Sequence, residues 1–261
     1  MMHQLVIDQM GREVEVPLAP QRIISLVPSQ TELLLDLGLG ERLVGRTKFC
    51  IHPVDVVRNI AIIGGTKKLN MDRIHELQPD LIIGNKEENK EGQIIELSAK
   101  YPVWMSDIYD LSDALEMIRD LGSLLAVEAQ ADAMAAEISD GFEGLGKMIS
   151  GSVVYLIWDK PIMAVGPNTF INDMIRGLGL SNAVTKNRYP DLSISSLQDL
   201  NPDFLFLSSE PFPYKDKHIK TYQKLLPTTK VILVDGEMFS WYGSRLLKSV
   251  DYFRELRNTL T

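Results

Sequence analysis

The stretch FSWYGSR (239–245) gathers Phe239, Trp241 and Tyr242 beside Arg245. Rings of this kind stack on flat ligands, and a guanidinium pairs with carboxylates or amides at their rim. Glu237, just upstream, adds a polar contact of the opposite sign. The competing reading of these residues is a satellite core beneath a loop. In TKFCIHP (47–53), Cys50 and His52 share a face if the loop is extended, and together they suit a metal or a cobalt centre. Two donors without a third make a weak metal site, and Cys50 reads equally as a small buried hydrophobe. NKEENKEG (85–92) follows an apolar run. Asn85, Lys86, Glu87 and Glu88 therefore stand either at a ligand or on a solvated helix start. Trp158 closes the run VVYLIW and is placed to reach a ligand. Trp104 inside PVWMS, and Met117, Met134 and Met148, read as core. EPFPYKDKH (210–218), with Phe212, Tyr214 and its prolines, is a rigid loop, either a ligand wall or plain surface.

Patterns for catalysis are missing. There is no GxSxG, no P-loop, no HExxH and no GxGxxG after a strand. The four histidines are scattered, and His52 with Glu87 is the one acid–base pair on offer to a chelatase-like enzyme. The chain is expected to be a non-enzyme without an intrinsic cofactor.

The elements that must position these residues are announced by a repeated phrase, LQPDLIIG (77–84) and LNPDFLFL (200–207). At the N-terminus LVID and EVEV flank QMGR, a β-hairpin with Gly11 in its turn. RIISLVPS is a strand ending at Pro28, and SQTELLLDLGLG a helix capped by Ser29 or Thr31 and stopped by Gly38 and Gly40. LVGRT, DLIIG and PVWMS follow as strands, with MDRIHEL a short helix broken by Pro79. The order then recurs: VVYLIW, PIMAVGP ending at Pro167, the helix FINDMIRGLGL, SISSLQDLNPDFLFL, KVILVDG and a final amphipathic helix. Such alternation predicts an α/β fold of two lobes, each a mostly parallel sheet flanked by helices. Residues 111–148 join them, without proline; as one helix they would span about 57 Å, and two packed helices are the alternative. The expected division is a hairpin at 1–20, an N-terminal lobe at 21–110, a connecting backbone helix at 111–150 and a C-terminal lobe at 151–261. Ligands usually sit in the cleft of such an arrangement.

Composition narrows the partners. The chain has 261 residues, 27 Lys+Arg against 35 Asp+Glu, and a net charge of −8. An acidic chain without a basic cluster argues against nucleic acid. One cysteine excludes an internal disulfide, and no apolar run approaches a membrane span. MMHQLVIDQMGREVEVP lacks the marks of a secretory signal. As given, the chain is expected in the cytoplasm, or in the periplasm or on the cell surface if a leader has been removed.

RIISLVPSQTELLLDLGLGERLVG, MDRIHELQPDLIIG and the long helical segment resemble the class III, helical-backbone substrate-binding proteins of ABC importers for cobalamin, iron chelates and haem. The likeness covers residues 14–261; EPFPYKDKH and VDGEMFSWYGSRLL look like segments of the cobalamin branch. The resemblance implies a monomer that captures a metal chelate, most readily a corrinoid, for import. Iron-chelate or haem binding, or a cytoplasmic carrier or sensor, are its variants. By the same likeness Phe49, Tyr189 and Phe239 hold ring-contact positions, while Thr66 and Asn85 stand where the cobalamin binder has tryptophans. Arg245 matches a cleft arginine. Asp72 matches an acid that docks on a permease; its C-terminal counterpart is Ser195, with Asp191, Asp199 and Asp203 nearby.

Overall fold

The structure, a computed structural model, describes residues 2–146 and 149–260, so the expectation for Met148 lies outside the described residues. The chain forms two compact units: unit 1 is Met1–Ile108, Ser112–Ile138 and Tyr242–Arg245, and unit 2 is Tyr109–Leu111, Ser139–Trp241 and Leu246–Thr261.

In unit 1, β1 (His3–Ile7) and β2 (Glu13–Pro17) form the expected antiparallel hairpin, Ile7 opposite Glu13. Gly11 turns it at φ +72, a conformation glycine adopts without a Cβ penalty. There follow β3 (Ile23–Ser25), α1 (Pro28–Asp36), β4 (Leu43–Arg46), α2 (Val54–Val57), β5 (Ala61–Ile62), the short pair β6 (Gly64–Gly65) and β7 (Lys68–Leu69), α3 (Met71–Leu77), β8 (Leu81–Asn85), α4 (Glu91–Ser98) and β9 (Val103–Ser106). The main sheet is parallel, in the order β5-β4-β3-β8-β9. Every residue of β3, β8 and β9 is buried, as continuous apolar runs in a doubly covered parallel sheet require. The chain leaves β3 first to one side and then to the other. The switch point, where open parallel sheets gather ligands, is the carboxyl end of β3 and β8.

The single connecting helix expected over 111–150 is two helices, α5 (Leu111–Leu124) and α6 (Glu128–Glu143). Ala126 is left-handed at φ +57. Val127 N–H donates to Gly122 O at 2.8 Å and Ala126 N–H to Ser123 O at 3.3 Å, the bond pair of a Schellman ending. Gly122 then lets the second helix lie against the first, since a Cβ there would meet Ala131 Cβ at 2.3 Å. The break carries no proline, and alanine stands where glycine or asparagine normally signals it.

Unit 2 contains β10 (Ser152–Trp158), β11 (Ile162–Ala164), α7 (Phe170–Gly177), β12 (Ser181–Asn182), β13 (Asp191–Leu192), α8 (Ile194–Leu200), β14 (Phe204–Ser208), α9 (Asp216–Leu225), β15 (Lys230–Val234), α10 (Gly236–Ser240) and most of α11 (Arg245–Leu260). The sheet order is β13-β11-β10-β14-β15 with β12 also on β10; β11 is antiparallel to β10 and β13, and the other pairings are parallel. Its switch point is the carboxyl end of β10 and β14.

The repeated phrase is a repeated construction. Asn70 caps α3 by accepting the Arg73 N–H, and Ser193 caps α8 by accepting the Ser196 N–H. The helices end on left-handed Gln78 (φ +44) and Asn201 (φ +36), each followed by Pro-Asp. Asp80 accepts the Gln21 and Arg22 N–H groups at 2.8 and 2.7 Å. Asp203 accepts from Ser152 N and Oγ at 2.7 and 2.8 Å. In each unit the aspartate pins the start of the neighbouring strand, and so sets where the opposite, ligand-side end falls.

Candidate ligand-binding site

At the unit 1 switch point Asn85 ends β8 and is buried. Its Nδ2 donates to Ser106 Oγ at 2.9 Å and Ser106 O at 3.3 Å, and its Oδ1 accepts the Glu87 and Glu88 N–H groups at 2.8 and 3.1 Å. The amide is spent closing the strand end, so Asn85 builds the site's wall rather than facing a ligand. Gln30 Nε2 donates to the same Ser106 Oγ at 2.7 Å, and Asn89 Nδ2 to the carbonyl of buried Thr66 at 3.1 Å. Beside them burial lifts the Glu88 carboxyl above its ordinary pKa; Lys67 opposes this and Glu87 adds to it.

Tyr242 and Arg245 also belong to unit 1. Burial raises the Tyr242 hydroxyl well above its ordinary pKa, helped by the charge of Glu88. Arg245 Nε donates to Glu32 Oε2 at 2.8 Å, and both side chains are buried. The expectation of a rim arginine is corrected here. Glu32 answers its charge inside the protein, as a charge removed from water requires. Phe49, on the loop after β4, is 50% exposed, with Lys48 Nζ 4.9 Å over its ring. Next to it Cys50 is buried, its thiol 3.1 Å from Thr31 Oγ1 and 3.2 Å from Thr47 Oγ1. Burial pushes the thiol pKa up, which disfavours the thiolate that a metal needs. His52 is half-buried nearby. Among the described residues no three His, Cys, Asp or Glu side chains are grouped to hold a metal ion.

At the unit 2 switch point Trp158, the last residue of β10, is 41% exposed and its ring lies 5.7 Å from that of Phe212. Phe212 in turn packs on Tyr214 at 4.7 Å. Glu210 sits just past β14. Its Oε1 accepts from Ser240 Oγ at 2.7 Å and Trp241 Nε1 at 3.1 Å. Burial first, then the charges of Glu237 and Asp235, raise its pKa, and these two hydrogen bonds lower it. Trp241 is buried and Glu237 half-buried. Phe239 is fully buried, 5.1 Å from Tyr155 and 4.8 Å from Phe253 between ring centroids. The ring contact expected of it is a core contact instead, because α10 turns it inward. Tyr189 is half-buried, with Arg188 Cζ over its ring at 5.7 Å and over Tyr109 at 6.0 Å.

One residue at this strand end was not singled out in the sequence, Glu210. An acid just past an apolar strand was the available sign for Glu210. Asp72 is exposed in the first turn of α3, and Ser195 is exposed at the matching place in α8. Asp191 and Asp199 are exposed too, while the Asp203 carboxylate is engaged by Ser152.

Among the described residues no helix is long and apolar enough to cross a membrane. The chain is similar to an uncharacterized ABC transporter substrate-binding lipoprotein of Bacillus subtilis, 23% identical over 95% of this chain and 83% of that one. It is similar to a vitamin B12-binding protein of Pectobacterium carotovorum, 24% identical over 87% of this chain and 85% of that one. Its fold matches that of a periplasmic heme-binding protein from Roseiflexus sp. RS-1 in apo form, with a TM-score of 0.78, 20% identity, and coverage of 92% and 99% of the two chains. The family described as periplasmic binding protein matches residues 23–228. That match runs over most of the length, from β3 into the turn before β15, and the chain belongs to the periplasmic binding protein family.

Proposed function

We propose that the chain captures a metal-containing chelate and delivers it to an ABC-type importer, outside the cytoplasmic membrane. One observation carries this reading. Each sheet carries a partly exposed ring on the carboxyl side of a parallel strand: Phe49, three residues past β4, in unit 1, and Trp158, the last residue of β10, in unit 2. A ring held there suits the flat face of a macrocycle, and half-buried Tyr189, in the loop before β13, is a further candidate. The relatives named for vitamin B12 and heme support the same class. A corrinoid is the first ligand to test. Haem or a ferric chelate is the second, because Phe239, Trp241 and Tyr242, expected as ring contacts for a corrin, are buried. Asp72 is the docking acid of unit 1. The serine at the matching place in unit 2 leaves Asp191 or Asp199 to serve there.

Titration of the purified protein with aquocobalamin, cobinamide, haem and a ferric chelate, by absorbance and calorimetry, tests the reading. Saturable one-to-one binding of any of them is expected. Silence with all four would sink it.

A further inference from the structure

The hairpin that opens unit 1 closes one strand edge and leaves another open. β9 is the outermost strand of the main sheet, and side chains of the hairpin turn meet its free edge. Arg12 Nη2 donates to Val103 O at 3.0 Å, Met105 N–H donates to Asp8 Oδ2 at 3.2 Å, and Asp107 N–H donates to Gln9 Oε1 at 3.3 Å. Asp8 is buried and also accepts from the Arg12 guanidinium, so the turn is firmly anchored.

The outer edge of the hairpin itself is β1. Leu18 N–H donates to Met2 O at 3.1 Å, and Asp8 N–H donates to Arg12 O at 3.0 Å. Bonded and non-bonded pairs alternate along an antiparallel ladder. Gln4 and Val6 therefore bond inward to Val16 and Val14. Leu5 and Ile7, opposite Glu15 and Glu13, turn their N–H and C=O groups to the outer edge. Among the described residues no second strand pairs with β1. The Leu5 and Ile7 side chains, on one face of the strand, are 64% and 68% exposed. Natural edges are blunted by a lysine, a proline or a bulge, and β1 has none of these.

We propose that β1 is a self-association site, at which two copies of the chain pair their β1 strands antiparallel into a four-stranded sheet. The outward N–H and C=O groups call for a strand as partner, and charge selects a second copy. From Gln4 to Ile7 the edge is neutral, so it fits a neutral apolar strand, and β1 is one. A twofold axis at Val6 sets Leu5 of each copy in a bonded pair with Ile7 of the other, which satisfies the outward groups of both. The same axis gathers two leucines and two isoleucines on the exposed face. Glu13 and Glu15 stand on β2 and fall on the two outermost strands of the pair. Three strand spacings keep the two sets of acids about 14 Å apart, beyond a Debye length of about 8 Å. An anionic lipid surface would meet these acids directly and be repelled. Two five-residue strands bury far less than the roughly 1,600 Å² of a standard interface, so the dimer is weak.

Sedimentation velocity and amide hydrogen exchange of the full chain, at about 10–500 μM to suit a weak interface, test the proposal. The wild type is expected to shift from monomer toward dimer as concentration rises. The Leu5 and Ile7 amides should exchange more slowly along with it, while the Val6 amide, bonded inside the hairpin, stays unchanged. Leu5→Pro removes an outward N–H and keeps every bond between β1 and β2, so the dimer should be lost and Val6 stay protected. Ile7→Lys supplies the missing edge charge and should weaken the dimer at least about tenfold. If Leu5→Pro loosens the hairpin, visible as fast Val6 exchange, Ile7→Lys decides. A wild type that stays monomeric throughout the range overturns the inference. So does a dimer that survives Ile7→Lys, or one in which Leu5 and Ile7 exchange unchanged, because its interface then lies elsewhere.

Discussion

Asn85 and Ser208 occupy the same place in the two units. Each ends the strand that follows a capped helix, a left-handed residue and Pro-Asp. Each turns back to accept the N–H two residues on, that of Glu87 at 2.8 Å and that of Glu210 at 3.4 Å. Past that bond they part. Asn85 joins a buried network of amides and hydroxyls with Ser106, Gln30 and Asn89. Ser208 accepts the Tyr155 hydroxyl at 3.1 Å, and the ring of Tyr155 leans on Phe206 and Phe239. One backbone construction therefore supports two kinds of strand end. The polar end of unit 1 depends on its hydrogen bonds, and the aromatic end of unit 2 depends on volume being filled.

The contrast can be broken most forcefully at its supports. Glu32→Ala leaves Arg245 buried without its anion and is expected to cost about 3–5 kcal/mol in urea unfolding. The double replacement Glu32→Leu with Arg245→Met should recover most of that loss; if it does not, the pair does more than neutralise itself. Phe239→Ala empties a ring-lined space and is expected to cost about 3–5 kcal/mol, because its ring meets Tyr155 and Phe253. If Phe239→Ala instead left stability alone and abolished ligand binding, the ring would belong to the ligand after all.

Smaller changes sharpen the comparison at the paired strand ends. Asn85→Ala removes the acceptor of the Glu87 and Glu88 N–H groups, for about 2–3 kcal/mol. Ser208→Ala removes one hydroxyl among rings, for about 1 kcal/mol. Equal losses from the two would mean that the networks are not different in kind.

The parts of this molecule that were legible in the sequence are those set by neighbours along the chain. Val-, Ile- and Leu-rich runs gave the buried strands, Gly11 the hairpin turn, and the repeated LQPD and LNPD the common helix-to-strand joint. What was not legible depends on partners far away or on side-chain direction. Arg245 meets Glu32 across 213 residues, so its charge looked available to a ligand. FSWYGSR read as one aromatic cluster, yet its Phe239 points into the core of unit 2, while Tyr242 belongs to unit 1. The break between α5 and α6 stood in the sequence only as an alternative, because Ala126 performs a turn usually left to glycine. The site suffered more than the fold because its residues lie on loops, at strand ends and in the first turns of helices, where no periodicity records which way a side chain faces.

The weakest effect separates the units by the sign of its pH dependence. On α5, burial and then the Glu116 charge one turn away push the Asp120 carboxyl up from 3.8 to about 6. A raised acid is at no disadvantage below its unfolded pKa, and stability is lost as pH climbs from about 4 through 6. The shift corresponds to about 3 kcal/mol, which solvent screening of this partly exposed group reduces to about 1. Asp120→Asn should therefore stabilise the protein by about 1 kcal/mol at pH 7 and by nothing at pH 4. In unit 2 the Ser152 backbone N–H and hydroxyl hold Asp203 below its ordinary pKa. Its contribution is present at neutral pH and disappears as pH falls through its folded value. Asp203→Asn should thus destabilise at pH 7 and become harmless in acid. Unfolding both variants across pH 3–8 would show the two effects running in opposite directions. If they ran together, burial would not be what governs Asp120.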